Sequence, residues 1–108
     1  MANTYKVLGQ SFPAATTNTD IYTVPSGAQA VASTLAVCNT AGGTTFRVAV
    51  RIAGATLTTA QYIVFDNYIS SNDTVFLTLG ISLNTGDVVT VFSGANTLTF
   101  NLFGTEVV

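Results

Sequence analysis

The side chains able to do chemistry are few. The acids are Asp20, Asp66, Asp73, Asp87 and Glu106, the bases are Lys6, Arg47 and Arg51, and one thiol, Cys38, completes the set. Histidine is absent, which removes a Ser-His-Asp triad, an imidazole to activate Cys38, and any histidine zinc site. A single cysteine closes no internal disulfide and builds no thiolate zinc cluster. With no basic neighbour or helix start beside it, Cys38 reads as a small residue at or near the core. Asp66 and Asp73, with Asn67 and Asn72, share one polar stretch whose oxygens suit a calcium ion. The simpler reading makes them turn residues that bind their own backbone. Asp87 follows an Asn-Thr-Gly turn and reads the same way. No pair of acids has a spacing that suggests a glycosidase. The expectation is therefore no enzyme activity, no cofactor, no metal and no small-molecule substrate.

What remains is contact chemistry. Arg47 and Arg51 lie four apart in an alternating run, on one face of a strand and ~13 Å from each other. Ala49 between them would leave a low spot. Such a pair would suit the acids of a partner, or would simply be a solvated outer face; arginine is enriched at interfaces. Tyr5, Tyr22, Tyr62 and Tyr68 serve equally as core fillers with a wet hydroxyl or as interface anchors. The candidate interaction residues are Tyr5, Lys6, Arg47, Arg51 and Tyr68.

The elements that must carry these residues are strands. Val31 to Ile52 holds two apolar runs around Asn39-Thr40-Ala41-Gly42-Gly43. The second run alternates, with Phe46, Val48, Val50 and Ile52 against Arg47, Ala49 and Arg51. The first places Val31, Ser33, Leu35 and Val37 on one face and Ala32, Thr34, Ala36 and Cys38 on the other. The glycines between them suggest that the two runs fold back as a central hairpin. Thr4 to Gln10 is a weak first strand, and the segment from Met1 to Phe12 is an edge strand or an arm onto a neighbour. Further strands are expected at Ile21 to Val24, Gln61 to Phe65, Thr74 to Leu83, Val88 to Phe92 and Thr97 to Val107. Asp66 to Asp73 reads as a mostly exposed connection, with Tyr68 and Ile69 able to plug back into the core. Gly80, off the inward parity of Val75, Leu77, Leu79 and Ile81, suggests a bulge. Seven to eight short strands with regular turn signals and no 3.6-residue period predict an all-β chain. It would form a single antiparallel β-sandwich over residues 1–108, of jelly-roll or immunoglobulin-like topology.

Charge narrows the partners. Charged residues are 7% of the 108, and the formal net charge is −2, far from the ~25% charged residues usual for soluble domains. Phosphate backbones and anionic membranes both need clustered Lys and Arg, so neither nucleic acid nor membrane is expected. The opening MANTYKVLGQSF lacks the basic and apolar regions of a secretory signal, and synthesis in a cytoplasm is expected. So little charge suits a subunit whose faces meet other protein surfaces.

Several runs carry a resemblance: Ile21-Tyr22-Thr23-Val24-Pro25-Ser26-Gly27, Val37-Cys38-Asn39, Thr45-Phe46-Arg47-Val48-Ala49-Val50, Leu83-Asn84-Thr85-Gly86-Asp87-Val88-Val89, and Asn101-Leu102-Phe103-Gly104. Together they resemble small virion proteins of tailed bacteriophages, including cyanophages. The resemblance implies a non-enzymatic β-sandwich on the capsid surface of a virion. Its role would be that of a decoration (cement) protein, a homotrimer bound to the major capsid protein at joints between capsid subunits, stabilising the lattice. The alternative it implies is a small neck, tail or fibre module, such as a tip that binds host-surface glycans.

Overall fold

The computed structural model describes residues 2–108. It contains eight strands: β1 (Asn3–Ser11), β2 (Thr19–Thr23), β3 (Gln29–Asn39), β4 (Thr44–Arg51), β5 (Tyr62–Ile69), β6 (Thr74–Leu83), β7 (Val88–Ser93) and β8 (Leu98–Val107). They form two antiparallel four-stranded sheets, ordered β1-β8-β3-β6 and β2-β7-β4-β5. The β4–β5 connection stays within one sheet, and every other connection crosses between sheets. This order is that of a jelly roll, which decides between the two sandwich topologies open to the sequence.

The expected central hairpin does not form. β3 belongs to the first sheet and β4 to the second, so Asn39 to Gly43 is a corner between sheets. The cause is the Asn39 side chain, which is 1% exposed. Its amide donates toward the carbonyls of Gly42, Ile69 and Ser70 at 2.9, 3.3 and 3.2 Å, and its oxygen accepts from Ala41 N–H at 3.2 Å. Those partners tie the end of β3 to the end of β5 across the sandwich.

The simple alternation expected in β3 also fails, at Ser33. The register with β6 and β8 shifts between Ala32 and Thr34, so one extra residue flips the pleat. Ala30 and Ala32 face inward before the bulge, Leu35 and Val37 after it, while Val31 is 40% exposed. The expected irregularity at Gly80 is found at the same level, with φ +61. Gly104 of β8 lies there too, and a Cβ on it would meet Val31 O, Leu8 and Ala32.

Three further boundaries differ. β5 runs on through Asp66 to Ile69, because a bulge with Asp66 at φ 50 lets the strand continue. Ile69 does plug the core at 1% exposed, whereas Tyr68 is 63% exposed. Ile52, expected inward, is 73% exposed, since β4 ends at Arg51 and the chain enters a 3-10 turn over Ile52–Gly54. The N-terminal segment is an edge strand, not an arm: β1 pairs with β8 along its length, and Ala2 and Val108 exchange two backbone hydrogen bonds of 3.0 Å. Met1 lies outside the described residues.

The core forms between the sheets from Leu35, Val37, Leu98, Phe100 and Leu102 on one side and Phe46, Val48, Val89 and Val91 on the other, all 0% exposed. Phe46 and Phe100 meet edge-on across it, with centroids 6.2 Å apart and planes at 67°. Such a pair adds about 1 kcal/mol beyond the area it buries.

Candidate interaction surfaces

The outer face of the second sheet carries Arg47 and Arg51, as their parity on β4 requires. The chain itself supplies their partners. Arg47 donates through Nε and Nη2 to the two carboxylate oxygens of Asp66, at 2.5 and 3.2 Å. Its guanidinium lies over the rings of Phe65 and Phe92, 4.3 and 4.4 Å from their centroids. Asp66, and after it Tyr62, hold the guanidinium charged even above its ordinary range. Tyr62 meets Phe65 edge-on at 4.9 Å. The low spot expected at Ala49 is absent, for Ala49 is 1% exposed.

Arg51 is more fully bound. Nη2 donates to both oxygens of Asp20 at 2.9 and 3.0 Å, Nε to Thr90 Oγ1 at 3.1 Å, and Nη1 to the carbonyls of Gly54 and Ala55 at 3.1 Å each. Thr90 in turn donates to Asp20 at 2.9 Å. The planar fork of arginine suits such a staple, which here joins β2, β7, β4 and the 3-10 turn.

Lys6 lies at one end of the sandwich and faces inward, on the same side of the sheet as Glu106. Its Nζ sits 2.8 Å from Glu106 Oε1, and Tyr22 donates its hydroxyl to Glu106 Oε2 at 2.6 Å. Glu106 and Tyr22 are each 8% exposed, so this triad links β1 and β8 of one sheet to β2 of the other. The Lys6 hydrogen bond, then that of Tyr22, holds the Glu106 carboxyl below its ordinary value. Burial, then the hydrogen bond to Glu106, pushes the Tyr22 phenol up.

The remaining acids are also occupied. Asp87 accepts the backbone N–H groups of Ala53 and Asn84, both at 2.9 Å, and Asp73 accepts that of Thr74 at 2.9 Å. Asp66 and Asp73 therefore serve separate ends of the stretch considered for calcium. Among the described residues no three metal-ligating acids or thiols gather. A depression lined in part by Gln29, Asn84, Asp87 and Val107 is open, and its carboxylate is the one already bound to two N–H groups.

Every charged side chain is thus engaged within the chain: Arg47 and Arg51, read as suited either to a partner's acids or to a solvated face, each hold an acid of their own chain, and Lys6, a candidate contact residue, holds Glu106. The physical reason is economy: with so few charges, each acid that folding brings near an arginine or lysine is taken by it. The five candidates do not converge. Tyr5 is on the outer face of the first sheet, Lys6 on its inner side, and Arg47, Arg51 and Tyr68 belong to the second sheet. Tyr68 lies over Gly43, where any Cβ would strike its ring.

The outer face of β1-β8-β3-β6 was passed over in the sequence except for Tyr5. Cross-strand register places Tyr5, Val7, Val31, Phe76, Phe103 and Val107 on it, among Thr34, Thr78, Thr99 and Thr105. It carries no Asp, Glu, Lys or Arg. Tyr5 is 81% and Phe76 69% exposed. The signal was present: Val75, Leu77 and Leu79 inward leaves Phe76 outward.

No family model, no curated protein and no solved structure matches this chain.

Proposed function

We propose that this chain is a non-enzymatic structural subunit of a phage virion, a decoration (cement) protein. It would lay the outer face of β1-β8-β3-β6 on the capsid surface at joints between major capsid subunits. The observation that carries the reading is that face: a four-stranded surface with no charged side chain, on a chain whose three basic side chains are each paired with one of its own acids and whose other two acids, Asp73 and Asp87, accept backbone N–H groups. Such a surface loses little polar solvation when covered and gains from the burial of Tyr5, Val7 and Phe76. Binding only the assembled lattice would stabilise it by mass action. Jelly rolls serve in viral capsids and in lectins alike, so the fold supports the reading by analogy only.

The test compares virions with and without the protein under heat and low salt. Greater genome retention with the protein is expected, and equal retention overturns the proposal. One observation favours a second reading, a tail or fibre tip that binds glycans. Phe65 and Tyr68 on edge strand β5 are 57% and 63% exposed, next to Asp66 and Asn67. Glycan-array binding with a low copy number per particle would favour the tip, and hundreds of copies the capsid.

A further inference from the structure

The four sheet edges are not equivalent. Unpaired edge strands are ordinarily protected by charge, bulges or shortness. β1 has Lys6 and a register shift at Leu8. β2 has five residues, Asp20 and a register shift. β5 is broken twice in register and turns through Asp66 at positive φ. β6 differs. It too has a bulge, at Gly80, but from Thr74 to Thr78 its register against β3 is unbroken, and its sequence, TVFLTLGISL, has no charge and no proline. No strand lies on its other side. Its inward row, Val75, Leu77, Leu79 and Ile81, packs on the core but stays only partly buried.

We propose that β6 is the self-association edge of this protein and that its partner is β6 of a second copy, paired antiparallel about a two-fold axis at Phe76. This inference is independent of the virion reading, since it concerns the purified chain. Side chains opposite each other across antiparallel strands share a face. Centred on Phe76, the pairing sets the two Phe76 rings together, each Thr74 opposite Thr78 of the partner, and each Val75 opposite Leu77 of the partner. The exposed ring gains an aromatic neighbour, and the half-buried rows extend one another. Nothing repels: the nearest charge, Asp73, faces Leu79 of the partner, and the two Asp73 residues stand ~20 Å apart along the strands, beyond the Debye length at physiological salt. The trimer implied by the resemblance would make β6 meet one of the three protected edges, whereas a two-fold pair joins the open edge to itself.

The test uses two double variants at exposed positions and sedimentation of the purified chain. Thr74→Lys with Thr78→Lys sets lysine against lysine at both ends of the pairing. Thr74→Lys with Thr78→Glu sets lysine against glutamate at the same places. The wild-type chain is expected to sediment as a dimer. The Lys/Lys variant should dissociate about tenfold or more readily than the Lys/Glu variant, with circular dichroism unchanged in both. A wild-type monomer at high concentration, a trimer, or identical behaviour of the two variants would overturn the pairing. Loss of capsid stabilisation alone would leave it standing.

Discussion

Asn39 is the residue whose replacement most directly tests why β3 crosses to the other sheet. In Asn39→Ala, Ala41 N–H and the buried Ile69 carbonyl lose their side-chain partner. The buried Ile69 orphan costs roughly 1–3 kcal/mol, while the N–H of exposed Ala41 can turn to water, so a loss of about 1–3 kcal/mol is expected. Asn39→Asp keeps an acceptor for Ala41 N–H. It also turns a carboxylate oxygen toward three carbonyls at 2.9 to 3.3 Å, in a site 1% exposed. An uncompensated buried charge costs about 3–5 kcal/mol, so this nearly isosteric change should be the more harmful of the two at neutral pH. The new carboxyl would titrate above its unfolded value of ~3.9, since both burial and the carbonyls favour its neutral form. A raised folded pKa makes the penalty full above that pKa, and it fades as pH falls toward the unfolded value. A protonated carboxyl also regains one donor. The assay is urea unfolding followed by circular dichroism, with wild type and both variants compared at about pH 7 and about pH 4.5. If Asn39→Asp is no worse than Asn39→Ala at neutral pH, or if its deficit against wild type does not shrink on acidification, the reasoning is refuted.

Tyr22→Phe should lose about 1–2 kcal/mol by removing the hydroxyl donated to Glu106, read as a lower urea midpoint at unchanged slope. The folded Glu106 carboxyl titrates below its ordinary value of 4.5, so its stabilisation is complete above that value and lost as pH falls below it. Lys6→Met should flatten that acid limb of the stability curve, and an unchanged limb would count against the triad. Gly104→Ala should destabilise by about 1–3 kcal/mol, because the added methyl meets the Val31 carbonyl and the bulge must open. Phe100→Ala empties a 0% exposed site beside Phe46 and should cost about 3–5 kcal/mol in thermal or chemical unfolding.

Much of the chain could be read from local pattern. Alternation, apolar runs and turn signals located seven to eight strands, and alternation set Phe46 and Val48 on the face opposite Arg47 and Arg51, because a period of two is a property of each strand alone. Residue inventory likewise removed histidine chemistry without reference to any fold. Partner choice was not local. Asn39 looked like a turn residue, and only its reach to Ile69 and Ser70 sends β3 and β4 to different sheets. Ser33 looked like one more alternating position, and only the shared register of β6 and β8 makes it a bulge. Lys6 and Glu106 come from opposite ends of the chain, and Arg47 looked free until the Asp66 bulge turned a carboxylate toward it. Strand periodicity, strand number and the poverty of catalytic groups belong to the sequence itself. The jelly-roll order, the capture of every charge and the bare faces left behind were decided by tertiary contact, since pairing energies depend on what folding brings within a few ångströms.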